Sequence, residues 1–428
     1  MRTTEFKDTE LGPIPKDWEV KRLGEVCDTS SGGTPPRSVS DFYNGSIKWF
    51  TTSELRDCYL CDSAEHISQP ALEASSAKMF PSGTLLMAMY GATIGRLGML
   101  TNEAATNQAC CAIFCNDCDV EFLFYYLLHN RARIIALGSG AGQPNISQQI
   151  VKGLQLSLPP LPEQRRIAAA LGDVDRLIEN LKKRVEKKKN LKRGAMQELL
   201  TGPSSPDGSA ATGKRRLKGF TGAWVEKRFD EVFELHRNNT CARALMSEIK
   251  GDVHNLHYGD VLIKYGAVVD CGEEQIPFLT DAGAKVAPKD YLEDGDVVIA
   301  DTAEDETAGK VVEVRGVGDR LAVSGLHTIF CRPRFPFAIA WLGYWMNSNS
   351  YHDQLIALMT GIKVLSLSRS SFKQTKIMYP PLPEQRAIAA VLSDMDAEIA
   401  NLEAKLKKMT LLKQGMMQDL LTGKVRLT

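Results

Sequence analysis

Two stretches of the chain repeat one pattern of apolar and polar positions. In the first, Ile167, Leu171, Val174, Ile178, Leu181 and Val185 recur at steps of four and three; in the second, Ile388, Leu392, Met395, Ile399, Leu402, Leu406 and Met409 do the same. Such a spacing is the narrow a/d seam of a coiled coil, not the wider stripe of a helix lying on a domain. It predicts two long helices, paired antiparallel within one chain. The alternative is that each helix packs on its own globular unit. Pro162 and Pro383 suit the first helical turn, Glu163 and Glu384 complement the positive end of the dipole, and Gly202 and Gly423 can stop the helix in a left-handed conformation. The first helix is expected from about 163 to 201, a rod about 57 Å long.

The helices are one segment written twice. Residues 159–202 and 380–423 align without a gap at an offset of 221, with 26 of 44 positions identical. Fainter matches extend the duplication: WEVKRLGEV at 18–26 parallels WVEKRFDEV at 224–232. Residues 137–147 run at the same offset as 358–368, with Gly140 over Gly361 and Ser147 over Ser368. The organisation follows: globular unit 1–158, helix 159–202, linker 203–219, globular unit 220–378, helix 379–428. The PSSPDGSAATG run at 203–213 cannot build a core. In the first unit 84–90, 110–115 and 154–158 read as strands and 121–137 as helix. In the second, 261–264, 296–300, 310–314 and 326–331 read as strands and 338–358 as helix. Both units are α+β.

At 428 residues the chain is long enough for two or three cores. No apolar run approaches a membrane span and the start is polar, which reads as soluble and cytoplasmic. Seven of the ten cysteines lie in the first third of the chain, better read as reduced thiols than as disulfides. No GxxxxGK[ST] loop occurs, and the glycine-rich 138–142 follows a helix instead of joining a strand to one. The Pro-Pro pairs lack the Asn or Asp and the aromatic of an amino-methyltransferase loop, so methyl transfer, if it occurs, is done by another chain. The acidic run 301–306 could take Mg²⁺ but reads better as a solvated loop. Cys58-x-x-Cys61 with Cys115-x-x-Cys118 has the form of a four-thiolate zinc site at more than the usual separation, and no metal is assigned. The seven histidines form no HxxxH or HExxH pair. No catalytic residue is identified.

With the doubled PPLPEQR helix ending in LLTG, the opening LGPIPKDWEVKRLGEV, the segment IKWFTTSEL and the terminal TGKVRL, the chain resembles the type I restriction-modification DNA specificity subunits over nearly its whole length. The resemblance implies two target-recognition domains, each reading half of a bipartite asymmetric DNA site. It also implies paired helices that dock two modification subunits. Those partners would carry S-adenosylmethionine and methylate adenine, no cofactor would sit in this chain, and restriction subunits could join. A self-contained methyltransferase or nuclease, or a scaffold without DNA function, are the other classes considered.

Positions inside the matching segments are carried over as DNA-binding candidates. In the first unit they are Lys48, Trp49, Thr51, Thr52, Tyr90, Thr93, Arg96, Asn107, Gln108, Gln143, Asn145 and Ser147. In the second they are Tyr258, Lys264, Tyr265, Asp301, Asp305, Lys310, Ser324, His327, Lys363 and Ser366. Asn and Gln pair with adenine, Arg and Lys with guanine, Asp with cytosine N4, and hydroxyls with phosphate. Turn and cap roles compete for each, and the rings of Trp49 and Tyr90 suit the core. A departure from the family pattern is the TG repeated at 201–202 and 212–213 before KRRL, where the C-terminal copy runs straight into KVRL; it reads as an insertion at the helix end.

Equal numbers of basic and acidic residues, 52 each, exclude a uniformly basic coat. The zero is unevenly distributed: 1–158 carries minus 4, 159–202 plus 5, 203–219 plus 3, 220–378 minus 5 and 379–428 plus 1. The presumed readers are the acidic parts. Since phosphate neutralisation supplies much of DNA affinity, the chain alone is expected to bind DNA weakly and to need partners.

Overall fold

The computed structural model describes residues 5–138, 145–201, 216–280 and 287–428. The chain forms two compact units, residues 1–182 with 404–428, and residues 183–403. Each unit therefore holds one globular segment together with half of each long helix.

In the first unit, strands β1 (Cys27–Ser31), β2 (Ile47–Phe50), β3 (Cys58–Leu60), β4 (Leu85–Ala88), β5 (Leu97–Leu100), β6 (Ala104–Thr106) and β7 (Cys110–Cys115) build two sheets. One has the order β1-β7-β4-β5-β3; the other pairs β2 with β6 between the short strands Glu65–Ile67 and Met79–Phe80. Pairing is antiparallel except for β3 with β5 and β2 with β6. Leu85 to Ala88 and Leu97 to Leu100 are buried on both faces, which is why they read as continuous apolar runs. Helix α1 (Val120–His129) follows, capped by Asp119, whose side chain accepts from Phe122 N–H at 2.9 Å. The helix expected over 121–137 is two, broken at Asn130 before Arg131–Ala136. The first long helix, α2, spans Leu161–Leu199.

The second unit repeats the frame with β8 (Phe233–His236), β9 (Val253–Leu256), β10 (Val268–Asp270), β11 (Val297–Ala300), β12 (Val311–Arg315), β13 (Leu321–Ser324) and β14 (Thr328–Pro333). The order β8-β14-β11-β12-β10 matches the first sheet strand for strand, and β9 runs parallel to β13 as β2 does to β6. Helix α3 (Trp341–Met346) takes the place of α1, and the second long helix, α4, spans Leu382–Leu421. The strand expected at 261–264 is helical, within Tyr258–Ile263: His257 caps it through Gly259 N–H at 3.2 Å, and Asp260 lies in its first turn. The helix expected over 338–358 breaks at Asn347 and Ser348, before Asn349–Ile356.

The long helices pair antiparallel. In the first unit Lys413 meets Asp175 at 2.7 Å; in the second Lys188 meets Glu398 at 2.6 Å and Lys192 meets Asp396 at 2.5 Å, one number falling as the other rises. Only the middle of the seam is coiled coil. Ile178, Leu181, Val185, Ile399 and Leu402 are buried, whereas Val174, Met395, Leu406 and Met409 are half-buried. At the ends, Ile167 and Leu171 with Met417, Leu420 and Leu421 enter the core of Trp18, Leu23 and Phe122. Ile388 and Leu392 with Leu200 likewise join Phe229, Trp341 and Trp345. The alternative is thus realised in part: the N-terminal end of each long helix packs on the globular segment that precedes it.

The PEQR motif is the clasp between helix and globular core. Gln164 accepts from Asp119 N–H at 2.9 Å and donates to the Pro159 carbonyl at 2.8 Å; Gln385 accepts from Ala338 N–H and donates to the Pro380 carbonyl at the same distances. Glu163 does more than complement the dipole. It is buried and receives Arg426 at 2.8 and 2.7 Å, while Glu384 receives Arg216 at 2.7 and 2.6 Å. Arg426 belongs to KVRL and Arg216 to KRRL, so the 203–213 segment, which lies outside the described residues along with Gly202, leaves the second arginine in the role of the first. Gly423 ends the other copy at φ +71°, and a Cβ there would lie 2.3 Å from Pro15.

Candidate nucleic-acid interface

In the first unit, parallel pairing sets Trp49 opposite Ala105 and Phe50 opposite Thr106, so the chain leaves β2 and β6 at the same sheet end. Asn107 N–H donates to the Phe50 carbonyl at 3.0 Å there. At the end of β4, Ala88 N–H donates to the Arg96 carbonyl at 2.9 Å, Met89 N–H to the Ala109 carbonyl at 2.9 Å, and Ile146 N–H to the Met89 carbonyl at 2.9 Å. These four backbone bonds gather Thr51, Thr52, Tyr90, Thr93, Arg96, Asn107, Gln108, Asn145 and Ser147 at one end of the unit. Gln143 lies outside the described residues.

Several of these side chains have local partners. The Thr51 hydroxyl donates to the Glu54 carboxylate at 3.0 Å, Thr93 donates to the Tyr90 carbonyl at 3.0 Å, and Ser147 caps Gln148–Lys152. Arg96 donates to Asp57 at 3.0 Å and Gln108 accepts from Thr34 at 2.5 Å; both remain exposed. Tyr90 is 44% exposed, against the expectation that it joins the core, because it follows the end of β4 in a bridge to Asn145. Trp49 is the reverse: 1% exposed, with its indole donating to the Gly33 carbonyl at 2.9 Å, it cannot touch DNA. Lys48 lies within the strand and donates to the Cys61 carbonyl, away from this end.

In the second unit the same end is closed by the same bonds. Ala300 N–H donates to the Lys310 carbonyl, Asp301 N–H to the His327 carbonyl and Leu367 N–H to the Asp301 carbonyl, at 2.9, 3.1 and 2.8 Å. Arg96 and Lys310 are therefore equivalent, each preceded by a glycine with positive φ, +72° and +88°. Tyr258, Asp301, His327 and Ser366 come together: His327 Nδ1 is 3.4 Å from Asp301, its ring is edge-on to Tyr258 at 5.3 Å, and Ser366 pairs with Thr302. Lys363 and Asp305 are exposed, with Asp305 accepting from the Thr307 hydroxyl and from Thr307 N–H at 2.9 Å, which together lower its carboxyl below the usual range.

Of the other candidates of this unit, two are buried and two are engaged with backbone carbonyls. Ser324 is fully buried against Thr328 at 2.6 Å, and Tyr265 is 2% exposed, its phenol pushed up by burial. Lys264 turns to the Gln275 carbonyl. Lys310 donates to the Leu262 and Tyr265 carbonyls, both at 2.9 Å, and burial lowers its pKa. It lines a cleft of about 530 Å³ with Asp305, Thr307, Asn347 and His352.

Sequence reasoning missed Asn239, which donates to the Ser324 carbonyl from backbone and side chain at 2.9 and 3.0 Å, as Gly33 N–H does to Thr106 at 2.9 Å in the first unit. It also missed Arg369, next to Ser368, which donates to the His236 carbonyl at 2.8 Å. The 221 offset places Arg369 over Gln148 and could have flagged it. The acidic run 301–306 forms no three-donor metal group among the described residues, and Cys58 and Cys61 are exposed and lie apart from Cys115 and Cys118. No helix among the described residues is long and apolar enough to cross a membrane.

Residues 15–188 and 342–411, more than half of the chain, match the family model described as "Type I restriction modification DNA specificity domain". The MjaIX specificity subunit of Methanocaldococcus jannaschii, a type I restriction enzyme component, is 32% identical over 189 residues, 43% of this chain and 44% of that one. The MjaVIII specificity subunit of the same organism is 23% identical over 98% of this chain and 96% of its own. The crystal structure of the type I restriction-modification S subunit from M. genitalium shares the fold, with a TM-score of 0.59 and 16% identity over 98% of both chains. With one frame presenting two different sets of polar side chains, and with the match running through both long helices, this chain belongs to the type I restriction-modification DNA specificity family, as a sequence-recognition and not a catalytic subunit.

Proposed function

We propose that the chain reads a bipartite, asymmetric DNA site, one part with each unit, through the sheet ends described above. Its paired helices dock two modification subunits, which bring S-adenosylmethionine and methylate adenine in the cytoplasm, and restriction subunits join the same assembly. The observation that carries this reading is the pairing of equivalent positions with different chemistry: Arg96 against Lys310, Tyr90 against Thr302, and Asn107 and Gln108 against Gly325 and Leu326. Identical readers would select a symmetric site; different ones select two unlike halves. Direct readout requires exposed donors and acceptors, and the first unit supplies them in Arg96, Gln108 and Asn145.

The test is to map methylated adenines in cells carrying the chain with its modification partners. A Gln108→Ala, Asn145→Ala variant is expected to relax one part of the recognised sequence and leave the other intact. An unchanged motif in the variant would overturn the assignment of this surface. Lengthening both long helices by four residues adds about 6 Å to each and is expected to shift the spacer by about two base pairs. An unchanged spacer would show that the helices do not set it.

A further inference from the structure

The recognition surface leaves one cluster of side chains unused. Cys27 starts β1, Cys115 ends β7, and Cys118 lies in the turn before α1. The Cys27 sulfur is 3.6 Å from that of Cys115 and 3.5 Å from that of Cys118, and all three lie within 4.8 Å of one another. Among the described residues it is the one group of three or more metal-type donors.

We infer that Cys27, Cys115 and Cys118 bind a zinc ion as three thiolates, with water in the fourth position, and that this ion ties the first sheet to the turn on which α2 is docked. Four ligands arranged tetrahedrally at Zn–S distances of about 2.3 Å stand about 3.8 Å apart, close to the spacing already present. A disulfide needs sulfurs about 2 Å apart. Neighbouring polar groups leave the fourth position to water: Asp119 is engaged in capping α1, and Asn116 donates to Asp28 at 3.0 Å. Cys115 and Cys118 line a cleft of about 390 Å³ together with Thr84, Asn116 and Arg165, which gives water and metal a way in. Binding would displace the thiol protons still present, so affinity rises with pH.

The second unit supplies an independent argument. Strand pairing places Phe233 and Pro333 where the first unit has Cys27 and Cys115. The glutamine clasp, Asp119 to Gln164 and Ala338 to Gln385, makes Phe337 the counterpart of Cys118. Phe337 packs on Phe335 at 5.1 Å and on Tyr379 at 5.0 Å. Here the frame closes with apolar rings and a proline, so it does not itself demand cysteine. All three sulfurs appear together in the first unit and all three are absent from the second, as expected of a ligand set that works only when complete.

The test is the metal content of the full chain, purified with reductant and without chelator. About one zinc per chain is expected, and cobalt substituted for it should show the visible bands of tetrahedral thiolate coordination. A Cys27→Ser, Cys118→Ser variant should lose the metal, and a Cys58→Ser, Cys61→Ser variant should keep it. A wild-type chain that takes up neither metal overturns the inference, as does full metal retention by the first variant. If that variant does not fold, alkylation of the wild-type cysteines, read peptide by peptide, decides. A strong chelator is expected to speed modification of Cys115 and Cys118 by about tenfold or more while Cys58 and Cys61 stay constant; equal rates with and without chelator overturn the site.

Discussion

Arg96 and Lys310 occupy one place in two copies of one frame, and their fates differ. Each follows a left-handed glycine and gives its carbonyl to the alanine that ends the central strand. Arg96 remains at the surface, held by Asp57, whereas Lys310 is drawn inward to two backbone carbonyls left open by the Tyr258–Ile263 helix and the turn after it. Backbone hydrogen bonding thus keeps this sheet end the same in both units, while neighbouring elements decide which side chains reach outward. A similar divergence occurs one strand deeper. Met99 on β5 corresponds to Glu313 on β12, which accepts from Ala340 and Gly343 N–H at 2.6 and 2.9 Å at the start of α3.

The two units are expected to differ most at the clasps. Glu163→Ala leaves Arg426 without its buried partner, and breaking such a pair costs about 3–5 kcal/mol; urea unfolding of the full chain is the measurement. Glu384→Ala should cost less, because Arg216 is twice as exposed as Arg426. Equal losses would show that the clasps are energetically the same.

Glu313 supplies a pH dependence that belongs to the second unit alone. Burial raises its pKa from 4.5 to about 7. Between those values the folded state holds a proton that the unfolded chain has given up, so stability falls as pH rises from about 4.5 to about 7, by about 3 kcal/mol at most. Glu313→Gln should flatten that slope in denaturation curves of the second unit; an unaltered slope assigns the titration to another group.

Arg96 and Lys310 should separate in kind. Arg96→Ala is expected to weaken DNA retention by the assembled complex about tenfold, with stability changed by less than about 0.5 kcal/mol. Lys310→Met should cost about 1–3 kcal/mol by leaving two carbonyls unsatisfied. Matching stability losses in the two variants would dissolve the distinction.

The smallest effect is expected where the units agree. Tyr125 donates to Asp175 at 2.8 Å with Lys413 above its ring, and Tyr344 donates to Asp396 at 2.7 Å with Lys192 above its ring. Asp175→Asn and Asp396→Asn should each cost about 1 kcal/mol, and a clear inequality would show that the repeat is not energetically symmetric.

Much of this architecture was legible in the amino-acid order. The 221-residue repeat exposed both long helices, because a duplicated seam is a signal summed over many residues, and β7 and its neighbours stood out as apolar runs. The candidate interface was legible only as segments. IKWFTT, TNQA and YGATIGR do converge, but within them sequence could not tell Trp49 from Tyr90, since alternation along a strand does not say where the strand ends. Short apolar runs misled for the same reason: residues 261–263 are helical because His257 and Asp260 supply a cap and a charged first turn.

The duplication, the two long helices and the uneven charge were determined by the sequence alone, because repeats, periodicity and composition are written along the chain. Only tertiary structure decided that Arg216 and Arg426 close equivalent clasps on Glu384 and Glu163, that Lys310 turns inward where Arg96 turns out, and that Cys27 joins Cys115 and Cys118 in place of Cys58 and Cys61. Each of these depends on residues far apart in the chain, brought together by strand pairing and helix docking that no local pattern records.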